Sequence, residues 1–352
     1  MTAPRVLIVS SSMGAGHDSA AQVLANRLRR RGATVEVGDF LTVPPWKQGQ
    51  LLRAFYSAMI RWFPWGYDLA MRQWIVHPRF FDMVTRIGAL SYPKPMLRRV
   101  EAFQPDIVVS TYNLAAQTLG RLRASDRLRL PVVSYVTDPG AHPYWVAPGA
   151  DVHLAPLASL APALERWGAG TVKVVAPMVR EEFFASYDKA EARAAWQLPG
   201  DARIALINGG SWGVGATAAT ARLLAARGDV LPVVLCGRSR SLLRETQRLP
   251  GVRAVPWTDD IARLVAAADV VVDNAGGATC WEVLAAGRPV VVHRPIAGHG
   301  RLNAEALRSA GLARCVETDD DLLAAVAVAE PPAAAREVFG SPDAAEVVAG
   351  LW

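Results

Sequence analysis

Arg5-Val-Leu-Ile-Val-Ser10 followed by Ser-Ser-Met-Gly14-Ala-Gly16, and Arg203-Ile-Ala-Leu-Ile-Asn208 followed by Gly209-Gly210-Ser211-Trp-Gly213-Val-Gly215, are one pattern written twice in this chain. Each copy is a short unbroken apolar run, then a glycine loop, then a stretch that favours a helix. An apolar run of strand length without alternation reads as a strand covered on both faces. Strand, glycine loop and helix open a doubly wound α/β domain, whose ligands gather beyond the carboxyl ends of the strands. Two copies predict two such domains, and the length of 352 residues agrees, being beyond the size at which one core usually stops growing.

Further buried-strand candidates follow each copy. They are Asp106–Ser110, Val132–Val136 and Val172–Val175 in the first half, and Val230–Cys236, Val270–Asp273 and Val291–His293 in the second. Between them lie helical stretches: Ala21, Leu24, Ala25 and Leu28 fall on one face, and Arg29–Arg31 with Gly32 supply a cationic last turn and a stop. The boundary is placed after Pro177, giving an N-terminal domain over 1–178 and a C-terminal domain over 179–335. Residues 336–352 form a terminal helix with an apolar face, expected to pack back on the first domain.

The composition, 51% hydrophobic and 20% charged, argues for large packed cores and against disorder. Bilayer crossing needs about 18–20 consecutive apolar residues, and none of the apolar runs is that long. The N-terminus reads as a first strand, not a signal peptide. Three cysteines, Cys236, Cys280 and Cys315, have no ligand-like spacing and suit a reducing cytoplasm. The net charge of +6 is uneven: residues 1–100 hold 14 Lys/Arg against 5 Asp/Glu, and the remainder is slightly acidic. That asymmetry points to an anionic partner for the first domain, or to a merely solvated basic face. The segment from Pro44 to Trp74 carries four of the eleven tryptophans (Trp46, Trp62, Trp65, Trp74) together with Arg53, Arg61 and Arg72. Aromatic and cationic side chains on amphipathic helices suit a membrane interface or an apolar ligand pocket; a Trp-rich core is the other reading.

In the second half, Ala268-Asp-Val-Val-Val-Asp273 runs into Asn-Ala-Gly276-Gly277 and a helix beginning near Thr279. Backbone N–H groups and the positive end of a helix dipole then favour phosphate at the turn. Glu282, one turn in, can accept hydrogen bonds from ribose hydroxyls, although Thr279-x-x-Glu282 is equally a capping box. In the first half, His17 stands where the glycine loop becomes a helix. A helix N-terminus disfavours imidazolium, so the ring is expected to stay neutral near pH 7 and able to take a proton from a hydroxyl. The alternative is a histidine capping its own helix. Asp138, before Pro-Gly, is a second candidate base, a group that orients His142 or the acceptor, or a simple turn residue. Asp319–Asp321 and Asp259-Asp260 stand at helix starts and are read as dipole partners. Nothing in the spacing suggests a metal site, a resident cofactor or a nucleic-acid module.

Taken in order, these stretches resemble the MurG-like and monogalactosyldiacylglycerol-synthase-like glycosyltransferases of family 28. Gly276-Gly277-x-Thr279-x-x-Glu282, Gly287-x-Pro289 and Ala297-Gly-His299-Gly-Arg301-x-Asn303 resemble the donor half, with Ala297 in place of a proline. Gly14-Ala-Gly16-His17, Thr137-Asp138-x-x-x-His142-Pro-x-Trp145 and Met178-Val179-Arg180-x-x-Phe183 resemble N-terminal and interdomain motifs. The resemblance implies a GT-B fold, two Rossmann-like domains facing a cleft, and inverting, metal-independent transfer from a nucleoside-diphosphate sugar, a UDP-sugar foremost. It implies Glu282 at the ribose, Gly276, Gly277 and Thr279 at the diphosphate, and Gly237, Arg238 and Trp257 at the base. Gly209, Gly210 and Ser211 would close over the phosphates, and His299, Arg301 and Asn303 would face the sugar. His17, or Asp138, would be the base. Gly14, Gly16, His142 and Trp145, with Trp62 and Trp65 from the aromatic segment, are expected to bind a hydrophobic acceptor, a lipid or an aglycone. Relatives carry an acidic residue about where Gly300 stands, so the sugar itself is not carried over. The expected place is the cytoplasm, with peripheral contact at an anionic membrane. A nucleotide-sugar epimerase and a non-catalytic binding subunit are the rivals.

Overall fold

The computed structural model describes residues 3–44, 47–77, 83, 86, 91–274 and 276–352; Trp46 and Ala275, from segments singled out above, lie outside the described residues. Its contacts divide the chain into Met1–Met178 with Val338–Trp352, and Val179–Glu337.

The first unit is built on a six-stranded parallel sheet of order β2-β1-β3-β4-β5-β6. Its strands are β1 (Arg5–Ser10), β2 (Thr34–Asp39), β3 (Ile107–Ser110), β4 (Val132–Tyr135), β5 (Val152–Ala155) and β6 (Val172–Val174). The central strands are buried on both faces, which is why they read as unbroken apolar runs. One face packs on the Ala15–Arg30 helix, which buries Ala21, Leu24, Ala25 and Leu28 completely. The Ala344–Ala349 helix joins that core: Ala344, Ala345 and Val348 are fully buried against it. Asp343 caps this last helix through the Ala345 N–H (2.8 Å) and meets Arg27 at 3.3 Å.

The second unit repeats the design with order β12-β11-β10-β7-β8-β9, again parallel throughout. Its strands are β7 (Arg203–Asn208), β8 (Val230–Leu235), β9 (Arg253–Val255), β10 (Val270–Asp273), β11 (Val290–His293) and β12 (Arg314–Val316). In both units the strand order reverses beside the first strand: between β1 and β3, and between β7 and β10. Loops diverge to opposite faces at such a switch point and leave a crevice at the carboxyl ends. Ser10 and Ser110 end the first pair of strands; Asn208 and Asp273 end the second.

Candidate functional site

At the second switch point Asp273 and Asn208 tie two loops together. Asp273, 2% exposed, accepts the Gly276 N–H on Oδ1 (2.7 Å) and the Asn208 side-chain amide on Oδ2 (2.7 Å). The Asn208 carbonyl then accepts the Gly210 N–H at 2.9 Å. The helix after the turn is Gly277–Ala285, capped by the backbone of Gly276, so it starts two residues earlier than the expected Thr279. Thr279 is inside the first turn and no capping box forms; the Glu282 carboxylate instead binds Arg180, Nε to Oε1, at 3.0 Å. Burial, partly offset by Arg180, raises the Glu282 pKa above its usual range. Gly276 gives its N–H to Asp273, and Gly209 and Gly210 give theirs to the Leu235 carbonyl and to Asn208. These three glycines therefore shape the loops instead of supplying donors. The unmatched N–H groups of a helix start fall from Gly277 onward, over half-buried positions reaching Thr279.

The Gly237 loop closes on the same place. Arg238 N–H donates to the Ser211 carbonyl (3.0 Å), and a Cβ on Gly237 would lie 2.2 Å from the Gly210 carbonyl oxygen. Only glycine allows that approach. The Arg238 guanidinium stacks 4.0 Å over the ring of Trp257, which is 38% exposed. Beyond β11, Gly298 precedes the His299–Ser309 helix. Burial pushes the His299 pKa down to about 4, so its ring is neutral at pH 7. Asn303 is fully buried, which places it behind the surface rather than on it. Gly300 is packed in: a Cβ there would lie 2.5 Å from Ile296 Cγ1 and 3.4 Å from the Asn274 carbonyl.

At the first switch point His17 sits in the first turn of the Ala15–Arg30 helix, which Gly14 precedes with no side-chain cap. Its Nδ1 is 2.8 Å from the Thr111 carbonyl and 3.2 Å from Thr137 Oγ1. A carbonyl only accepts, so Nδ1 carries the proton and the lone pair lies on Nε2. Tyr112 meets the ring edge-on at 5.1 Å between centroids. Gly16 and Gly14 lie in this turn, and Asp138 is half-buried beyond β4. Burial, with the Asp138 charge adding to it and a hydrogen bond with Tyr56 opposing it, pushes the Tyr67 phenol up to about 12.

The expected acceptor residues separate into two groups. His142 is 5% exposed and Trp145 is fully buried, so Trp145 forms a wall behind His17 and His142 and does not line a surface. Trp62 and Trp65 stand 70% and 71% exposed on the Gln48–Trp62 and Pro64–Val76 helices. Among the described tryptophans of that segment Trp74 turns inward, 4.9 Å from Tyr144 and 6.4 Å from His142 between ring centroids. Sequence spacing alone does not single out Asp273, Asn208 and Arg180. Each forms its decisive contact with a residue far away in the chain, so spacing carried no signal. Among the described residues no cluster of three His, Cys, Asp or Glu side chains is arranged to hold a metal, and no helix is long and apolar enough to cross a membrane.

Comparison with known proteins agrees with this division. A monogalactosyldiacylglycerol synthase family model matches residues 17–173, and the glycosyltransferase family 28 C-terminal domain matches 206–327. The processive diacylglycerol beta-glucosyltransferase of Bacillus licheniformis is 25% identical over 349 residues, covering 92% of this chain and 86% of that protein. Spinosyn rhamnosyltransferase SpnG complexed with thymidine diphosphate superposes with a TM-score of 0.66 at 20% identity, covering 99% of both chains. MurG of Acinetobacter baumannii superposes with a TM-score of 0.61 at 18% identity, again over 99% of both. Two parallel six-stranded units and two consecutive family matches together make this chain a GT-B glycosyltransferase of family 28.

Proposed function

We propose that the chain moves a sugar from a nucleoside-diphosphate sugar, a UDP-sugar foremost, to a hydroxyl of a diacylglycerol-type lipid at a membrane surface. One observation carries the choice of acceptor. Leu51, Phe55, Trp62, Phe63, Trp65, Leu69 and Val76 are each more than half exposed within 26 consecutive residues. Soluble surfaces rarely gather so much apolar area, whereas an interfacial helix pair does so by design. Arg53, Arg61 and Arg72 lie among them, with Asp68 the single acidic residue of that stretch, which suits anionic headgroups. The action of the Bacillus relative on diacylglycerol, stated by its name, supports the same acceptor.

In the proposed reaction His17 Nε2 takes the proton of the acceptor hydroxyl, whose oxygen attacks the anomeric carbon. The bond from that carbon to the diphosphate oxygen breaks, and the configuration inverts. The N-terminus of the Gly277–Ala285 helix stabilises the departing diphosphate, Glu282 holds the ribose, and Arg238 with Trp257 borders the base. Asp138 orients the acceptor. No step in this scheme calls on a metal.

The test is incubation with radiolabelled UDP-sugars and TDP-sugars, with and without lipid extract, and with and without a chelator. Lipid-dependent release of nucleotide and a labelled glycolipid, unchanged by the chelator, are expected. Donor isomerisation alone would identify an epimerase, and binding without turnover a non-catalytic subunit; either refutes the proposal. Flotation with vesicles of neutral and anionic lipid tests the membrane contact, which should weaken when Trp62 and Trp65 become Ser.

A further inference from the structure

We propose that Arg180 is a positioning residue for the nucleotide: it fixes the Glu282 carboxylate by one oxygen and presents the other to the ribose hydroxyls. The inference deepens the proposed donor site and rests on that reading.

Arg180 is held on three sides. Its Nε contacts Glu282 Oε1 at 3.0 Å, its Nη1 contacts Glu182 Oε1 at 2.9 Å, and its guanidinium lies 4.9 Å from the ring centre of Phe183. Phe183 is 1% exposed and anchors the short Glu181–Phe184 turn, so the arginine cannot wander. Glu282 is 8% exposed. A carboxylate offers about four lone-pair sites, and Arg180 approaches through Oε1, which keeps Oε2 for two hydroxyls. A buried carboxylate with no cation beside it would take up a proton and lose its charge-assisted acceptor strength. Arg180 and Glu182 are the charged groups whose fields reach Glu282. On the adjoining strands Asp273 is turned to Asn208 and Gly276, and His293 to Thr220, so neither replaces Arg180. Removing Arg180 therefore moves the titration of Glu282 further upward.

Isothermal titration with UDP from pH 6 to pH 9 tests this in the full chain. Each variant is compared with wild type at the same pH, which cancels the titration of the nucleotide itself. Arg180→Met should weaken UDP by about tenfold at pH 6, the loss of one charge-assisted bond. The gap should narrow to about threefold at pH 9, where Glu282 ionises unaided. Arg180→Lys should follow wild type at every pH, and Arg180→Gln answers the question if Arg180→Met unfolds. Glu282→Gln should lose UDP at all pH values. A pH-independent defect, or none, in the uncharged variants overturns the role of Arg180 while the nucleotide site stands. Failure of wild type to bind UDP or TDP overturns both.

Discussion

The bridge between Asn208 and Asp273 makes a prediction that turns on counting donors and acceptors. Along the bridge the order is Gly276 N–H, Asp273 carboxylate, Asn208 amide, Gly210 N–H, and every donor meets an acceptor. Asp273→Asn is isosteric but places an amide nitrogen against a group that also donates. Flipping either amide only moves the clash to Gly210 or Gly276. A buried donor left unmatched costs about 1–3 kcal/mol, and the lost bonds to a charged acceptor bring the total to roughly 2–4 kcal/mol. For a unit of this size that corresponds to a fall in Tm of roughly 5–12 °C. Asn208→Asp should cost a similar amount for the opposite reason, since two carboxylates would then meet at hydrogen-bond distance. The reciprocal swap, Asn208→Asp with Asp273→Asn, restores one amide between two acceptor sets and satisfies both glycines. Chemical denaturation of the four proteins gives a double-mutant cycle, and the coupling should favour the double variant by roughly 4–8 kcal/mol, the sum of the two single costs. A double variant no more stable than the weaker single one refutes the bridge, as does an Asp273→Asn protein of wild-type stability.

Three further perturbations test other parts of the molecule. His17→Ala should lower turnover by about 10²–10⁴-fold, the usual contribution of a general base, with UDP affinity retained in titration; wild-type turnover rules out His17 as the base. His153, 1% exposed, accepts the Ala147 N–H on Nε2 (3.0 Å), and burial pushes its pKa from 6.5 down to about 4. The unfolded chain therefore binds a proton that the folded chain refuses between those values. Stability should be constant above pH 6.5 and fall by up to about 3 kcal/mol toward pH 4. His153→Gln should flatten that slope in denaturation curves, and an unchanged slope refutes the assignment. Gly300→Ala should cost about 1–3 kcal/mol through its contact with Ile296, and most of that cost should vanish in an Ile296→Ala background. Equal costs in both backgrounds would show that Ile296 does not fill the space that a side chain at 300 needs.

What was legible in the sequence was local, and what was missed was pairing across the sheets. The strand candidates at 106–110, 132–136, 172–175, 230–236, 270–273 and 291–293 all fall within one residue of observed strands, because doubly covered strands leave unbroken apolar runs. β2, β9 and β12 carry no such run: they are edge strands with exposed or half-buried positions, so their apolar signal is diluted. β5 lies inside the sheet but is four residues long, with a histidine at its second position. The glycine loops were visible since their conformation is set by residues next to one another. Thr279-x-x-Glu282 misled for a related reason: the same spacing serves a helix cap or a ligand, and only a partner from elsewhere decides. That partner is Arg180, 102 positions away; Asp273 reaches Asn208 across 65, and His17 reaches the Thr111 carbonyl across 94. The last two contacts join strand ends that are adjacent because strand order reverses there, at β7 beside β10 and at β1 beside β3. Topology thus turns a residue with an ordinary local reading, an Asp at a strand end or a His in a first helical turn, into one end of a contact between two loops. The swap of Asn208 and Asp273 tests that step directly, since each exchanged residue suits its own loop and only the pairing across the switch point distinguishes the single variants from the double.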